Sequence, residues 1–243
     1  MVSRFARPIC GLLLAVVFGQ LQAAAGPGQD YVFRVMLDDS EIGYHRFQVS
    51  QQGDREVIEI EARFKVTFLG IPVYRYKHDN REIWRQGCLD SIASATSDGG
   101  DKFKVEGQRT ERGFELTTLD GKREIESACV MTFAYWNRQF LEQDKLLNAQ
   151  NGDYLQMDIE TVGPGELKLP KANVATNIYR LRNADKQIDI TLWYARGDGR
   201  WLSLESRVEG GRIIRYLPAT AAEFKGLRKQ PESTDPPATE NGK

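Results

Sequence analysis

Histidine is scarce in this sequence, which contains only His45 and His78. The two lie on separate predicted strands, and neither belongs to an H-x-H or H-E-x-x-H motif, the spacings that let one element present two histidines to a metal. We therefore predict no metal site. His45 has the same strand parity as Phe47 and Val49, which favours a hydrogen-bonded core or interface histidine.

Motifs for nucleophilic catalysis and phosphate binding are also missing. No G-x-S-x-G elbow occurs, and the glycines at 163–165 and 197–199 are predicted to form turns between strands, not phosphate loops ahead of helices. His78 and Glu82, four apart on one predicted strand, would lie about 13 Å apart, too far to exchange a proton directly. The sequence thus predicts no cofactor and favours a non-catalytic protein. An enzyme built on His78, Glu82 or Asp79 is the least favoured alternative.

No apolar run is long enough to cross a membrane. The longest, residues 9–18, is about half of the ~20 residues that a spanning helix needs. Arg4 and Arg7 precede it, and three small residues, Ala23-Ala24-Ala25, follow it. This pattern predicts a secretory signal peptide over residues 1–25, export to the bacterial periplasm, and a mature chain that is not an integral membrane protein.

Cysteine is rare, and only Cys88 and Cys129 follow the predicted signal peptide. They have no C-x-x-C spacing, so a redox or nucleophilic thiol is disfavoured. In an oxidising compartment the pair can form a disulfide, but two buried free thiols fit the sequence almost as well.

An excess of basic residues is absent as well, since the formal net charge is −1. No basic stripe of the kind that follows a polyanion is visible. Nucleic acid is therefore excluded as a predicted partner, and protein partners stay unknown.

What the sequence does contain is two-residue alternation, with turn residues every eight to twelve positions from Tyr31 onward. In residues 57–68 the alternating Ile58, Ile60, Ala62, Phe64 and Val66 face one way and charged residues face the other. We predict a mainly β fold, a curved antiparallel meander sheet or open β-barrel.

Only residues 132–152 break the alternation, with apolar residues spaced by three and four. They predict a short helical insert packed on the sheet. One β-rich domain is predicted over residues 30–220, because no linker interrupts that range. From 221 to 243 the composition predicts a disordered tail.

Aromatic residues exceed what an ordinary sheet core needs, and a curved sheet with an aromatic concave face can hold a lipid-like ligand. The alternative is that this second aromatic layer packs beneath the insert. The candidate ligand-binding residues are Tyr76, His78, Trp84, Tyr135, Trp136, Trp193 and Trp201.

Several blocks of sequence, above all Phe133-Ala134-Tyr135-Trp136-Asn137, resemble a family of uncharacterised exported bacterial proteins, domain of unknown function 6134. The other blocks are residues 76–78, 82–89, 146–152, 192–194 and 200–205. The resemblance covers residues 31–218 and implies a β-rich envelope protein. It carries no assigned activity, so no catalytic role transfers.

The leading functional hypothesis is a non-catalytic periplasmic β protein that binds an apolar or amphipathic envelope molecule, such as a lipid, on its aromatic face. A module for cell-envelope assembly that docks through strand edges or the insert is the alternative.

Overall fold

The computed structural model describes residues 28–69, 71–170 and 172–229. The predicted signal peptide, residues 1–25, and residues 230–243 lie outside the described residues. The strands of the first half are β1 (Gln29–Leu37), β2 (Ser40–Gln52), β3 (Arg55–Phe68), β4 (Ile71–Arg85), β5 (Cys88–Asp98), β6 (Asp101–Arg109), β7 (Phe114–Thr118) and β8 (Gly121–Ile125). The later strands are β9 (Lys145–Leu147), β10 (Tyr154–Gln156), β11 (Asp158–Leu169), β12 (Ala172–Asn183), β13 (Ile188–Ala195), β14 (Trp201–Arg207) and β15 (Ile213–Pro218).

Thirteen of the described strands form one antiparallel sheet, in the order β11-β12-β13-β14-β15-β1-β2-β3-β4-β5-β6-β7-β8. Each half of the chain is a meander of consecutive hairpins. The halves join where β1 pairs with β15, with Val35 opposite Tyr216. The sheet does not close, so β11 and β8 are its edges, and β9 and β10 form a separate pair. The predicted fold class is confirmed.

The sheet curves around the insert, residues 132–152. Inner-face side chains from distant strands all reach this segment: Ser94 of β5 donates to the Ala149 carbonyl at 2.5 Å, and Tyr194 of β13 donates to the Tyr135 carbonyl at 2.8 Å. A flat sheet would hold these strands too far apart for both contacts. The insert contains a 3-10 helix, Arg138–Glu142, whose Phe140 is fully buried.

The core therefore lies between the inner face and the insert. Alternation along β3 buries Ile58 and Ala62, as predicted. Leu146 and Leu147 of the insert join the same buried cluster. The second aromatic layer predicted from the sequence packs partly against the insert, which is the alternative that the sequence offered to ligand binding.

A disulfide joins Cys88 at the start of β5 to Cys129, just before the insert, with the two Cα atoms 5.2 Å apart. This settles the choice that the sequence left open. Beside it the Leu89 amide donates to the Val130 carbonyl at 2.9 Å, so the two segments are also held by backbone pairing. A disulfide is typical of proteins in oxidising compartments, which is consistent with export.

The predicted disordered tail is wrong for its first residues, since Ala221–Arg228 form a helix, α1. Thr220 and Glu223 make a reciprocal capping box at its start. Phe224 packs on Val32 and Tyr44 on the outer face of the sheet. This contact buries apolar surface of α1, which the composition of the segment did not suggest. No helix in the described ranges is both long and apolar enough to cross a bilayer.

The turn predicted at residues 163–165 is also wrong, because these residues lie within β11. Pro164 lacks an amide proton, so a strand that contains it is tolerated chiefly at a sheet edge. β11 is such an edge, and a register shift between Thr161 and Gly163 accommodates the irregularity.

Candidate functional site

Two adjoining cavities lie between the inner face of the sheet and the insert. They have volumes of about 430 Å³ and 620 Å³ and share wall residues that include His45, Tyr135, Ile190 and Ser206. Aliphatic and aromatic residues make up most of the wall of the larger cavity and about half of the wall of the smaller one. Together they form the candidate site, and each falls in the size range of small-molecule pockets.

His45 stands between the two cavities. Its Nδ1 lies 2.8 Å from the Tyr216 hydroxyl, while Nε2 is buried without a hydrogen-bond partner among the described residues. Burial, and to a lesser degree the nearby His78, holds the pKa of His45 well below its ordinary value. The ring is therefore neutral near pH 7, with one nitrogen unpaired.

His78 is held in one tautomer by a relay through Thr96. Thr96 Oγ1 donates to the Gln150 carbonyl of the insert at 3.0 Å, and it lies 2.9 Å from His78 Nδ1. Since the hydroxyl proton is used, Nδ1 is the donor to Thr96. Burial lowers the pKa of His78 to about 4, with Asp79 opposing and Arg63 adding to the shift.

Glu82 ties the sheet to the insert. Only 1% exposed, it accepts hydrogen bonds from Asn80 Nδ2 (2.9 Å), Trp84 Nε1 (2.8 Å) and, across 50 residues of sequence, Thr132 Oγ1 (3.2 Å). Burial raises the pKa of Glu82, and the three hydrogen bonds oppose that rise. Both carboxylate oxygens are thus used within the protein.

Three residues that line the smaller cavity each have a buried polar atom with no partner in the described part of the chain: His45 Nε2, Asn80 Oδ1 and Trp136 Nε1. Buried polar atoms are nearly always hydrogen-bonded, so such a cluster calls for a specific explanation. The wall of the smaller cavity combines apolar side chains, such as that of Ile60, with polar ones, such as that of Gln150.

Four of the sequence-predicted ligand-binding residues line the cavities: Tyr76, His78, Tyr135 and Trp136. Two others are core residues. Trp84 packs edge-on against Trp136, with ring centroids 5.2 Å apart, and Trp201 is 2% exposed inside an aromatic cluster. Trp193 is opposite in parity to the buried Leu192 and Tyr194, and it lies on the outer face.

Sequence reasoning missed Ile190, Ser206 and Tyr216 as cavity residues. These come from β13, β14 and β15, and their approach to β2 depends on the pairing of β15 with β1. The one available sequence signal was that Ile190 lies two residues from Leu192 on β13 and therefore shares its inner face. Asp79, named with His78 and Glu82 for the enzyme alternative, faces outward and accepts from Arg63 at 2.7 Å.

Acid should lower the free energy of unfolding through His78, and a His78→Asn variant should lose less stability on acidification than the wild type. With a folded pKa of about 4 and an unfolded value near 6.5, protons bind preferentially to the unfolded chain. The contribution of the neutral ring is complete above the unfolded pKa and falls as pH drops through 6.5 towards 4. Urea unfolding at pH 7.5 and pH 5 should show a loss about 2 kcal/mol smaller for His78→Asn than for the wild type. Equal losses would show that His78 is not buried and neutral.

Comparison with known proteins agrees with the fold. The chain resembles a crystal structure from Brucella abortus, described as a β-barrel-like protein of domain of unknown function DUF1849, with a TM-score of 0.58 at 9% identity over 79% of this chain and 96% of that one. No curated protein matches the sequence. The model of Domain of unknown function (DUF6134) matches residues 33–219, so the chain belongs to the DUF6134 family.

Proposed function

We propose that the chain is an exported, non-catalytic protein of the bacterial periplasm whose cavity binds an apolar or amphipathic envelope molecule such as a lipid. The observation that carries the proposal is the pair of adjoining cavities, of about 430 Å³ and 620 Å³, whose walls combine aliphatic and aromatic side chains with polar ones. An amphipathic molecule satisfies both parts of such a wall.

A polar group of the ligand that lies beside His45 should carry no net charge. His45 is neutral there, and burial penalises any unpaired ion. A hydroxyl, ester or amide group fits beside His45, and hydrocarbon fits the walls formed by Ile60, Ile188 and Ile190.

The buried insert argues against one form of the scaffold alternative. Phe140, Leu146 and Leu147 are fully buried, so these three apolar side chains of the insert belong to the core. Deleting residues 132–152 would remove core and not merely a docking surface. A scaffold would have to use the sheet edges, β8 and β11.

Filling the chamber should abolish ligand retention. Ser206 lines both cavities, so the indole of Ser206→Trp would occupy the space between them. Thr191 lies on the outer face of β13, and Thr191→Trp is the matched control. Native mass spectrometry of protein purified from its own periplasm should show a bound small molecule on the wild type and on Thr191→Trp, and none on Ser206→Trp. Repeated absence of any adduct on the folded wild type would refute the proposal.

A further inference from the structure

The two cavities of the candidate site meet along one wall that runs from the core to the surface. Ile190, which is buried, lines both cavities. Gln150 of the insert and Glu209, in the turn between β14 and β15, are exposed and also line both. The cavities therefore reach the surface at the same place. We call Gln150 and Glu209 the shared mouth.

Away from this wall the cavities extend in opposite directions along β3. His45, which lines both, lies opposite Ala62 of β3. On one side of Ala62, Ile60 lines the smaller cavity, and on the other side Val66 lines the larger one. Ile60 and Val66 are about 20 Å apart along the strand, at the usual rise per residue. The site is thus forked, with one mouth and two chambers.

The far end of each chamber has apolar side chains that line it alone. In the smaller cavity these include Phe47, Ile60 and Ile188. In the larger cavity they include Val66 and Leu204. Each chamber can therefore bury hydrocarbon away from the mouth.

Charged residues that line the smaller cavity already have partners within the protein. Glu82 accepts three hydrogen bonds. Lys186 lies 3.2 Å from Asp153, and Arg207 lies 3.5 Å from Asp189. Hydrocarbon in this chamber would therefore not strand these charges without a partner.

We propose that the ligand is a lipid with two hydrocarbon chains, one in each cavity, and that its polar head group lies at the shared mouth. This inference rests on the proposed function and specifies the class of ligand. Two separate one-chain lipids would crowd two head groups into one mouth. In a two-chain lipid, binding of the first chain makes binding of the second intramolecular, which favours it. The uncharged groups that join the chains to the head lie along the shared wall, beside His45 and Ser206.

Binding of one-chain and two-chain lipids to delipidated protein tests the proposal. The probes are mono-octanoylglycerol and dioctanoylglycerol, each with the same uncharged dye on the glycerol head and each used below its aggregation concentration. The wild type should bind one equivalent of the two-chain probe at least about tenfold more tightly than the one-chain probe, because the second chain buries further apolar surface.

Blocking one chamber at a time separates the two chains. Val66→Trp fills only the larger cavity and Ile188→Trp only the smaller one, and both positions are only partly buried. Each variant should bind the two-chain probe at least about tenfold more weakly than the wild type. Each should bind the one-chain probe within about twofold of the wild type, because one chain can use either chamber. Thr191→Trp, on the outer face of β13, should bind both probes like the wild type.

A second measurement needs no variant. Fragmentation of the ligand released from wild type purified from its own periplasm should yield two hydrocarbon chains, and a one-chain ligand would contradict the inference. Equal affinity of the wild type for the two probes would also overturn it, as would unchanged two-chain binding in either blocked variant.

The competing arrangement is a one-chain lipid whose chain fills the larger cavity and whose head group fills the smaller one. It predicts that Ile188→Trp weakens binding of both probes equally, a result that would overturn the two-chain proposal. Saturable binding without a preference for two chains would refute this inference and leave the proposed function standing. No saturable binding of either probe to the folded wild type would refute both.

Discussion

Replacing Trp201 with alanine should lower the free energy of unfolding by about 3–5 kcal/mol, the range for truncating a large buried aromatic side chain. Trp201 is 2% exposed, and its ring lies 4.3 Å from Phe33, 5.2 Å from Phe47 and 5.1 Å from Tyr135 by centroid. These partners belong to β1, β2 and the insert. The indole therefore joins the two halves of the sheet to the segment that they enclose.

Trp193 provides the matched control, since the same substitution there removes an identical side chain from the outer face. Trp193→Ala should cost about 1 kcal/mol or less, as expected away from the core. Chemical denaturation followed by far-ultraviolet circular dichroism measures both variants. Equal losses at the two positions would contradict the assignment of inner and outer faces along β13 and β14.

Removing the disulfide should have a similarly large effect. Cys88 and Cys129 are separated by 41 residues, and in the chain-entropy model a loop of that length contributes about 4 kcal/mol of stability. Because the Leu89–Val130 hydrogen bond also holds the two segments together, a Cys88→Ser/Cys129→Ser variant should keep the native fold. The loss should come chiefly from a less constrained unfolded chain.

The double serine variant should therefore fold with an unchanged circular dichroism spectrum but unfold at a lower denaturant concentration. Wild type unfolded in the presence of a strong thiol reductant should match it, and the reductant should not affect the variant. A wild type that is insensitive to reductant would show that the bond does not form in solution.

The fold was largely accessible to sequence reasoning because alternation and turns are local signals. Residues 57–68 display their inward and outward faces directly, and β3 follows them. The insert was visible as a break in that pattern, but its place inside the curve depends on long-range contacts such as Thr132 with Glu82. The pairing of β1 with β15 has no local signal at all.

The candidate site was harder to predict for the same reason. His45 and Tyr216 are 171 residues apart in sequence. Their Nδ1 and hydroxyl oxygen atoms lie 2.8 Å apart only because β15 pairs with β1. A register shift between Trp193 and Tyr194 places Trp201 of β14 opposite Tyr194, and alternation along one strand does not reveal such a shift. Helix α1 was missed because the tail was judged by composition alone, although Thr220 and Glu223 have the spacing of a capping box.

The central claim is that the chamber between the sheet and the insert binds a lipid-like molecule. Equilibrium titration of delipidated protein with a fluorescent fatty acid ester tests it most directly, with Ser206→Trp and Thr191→Trp measured alongside the wild type. We expect saturable binding to the wild type and to Thr191→Trp, and at least about tenfold weaker binding to Ser206→Trp. Absent saturation in the folded wild type, or the same affinity in all three proteins, would contradict the claim.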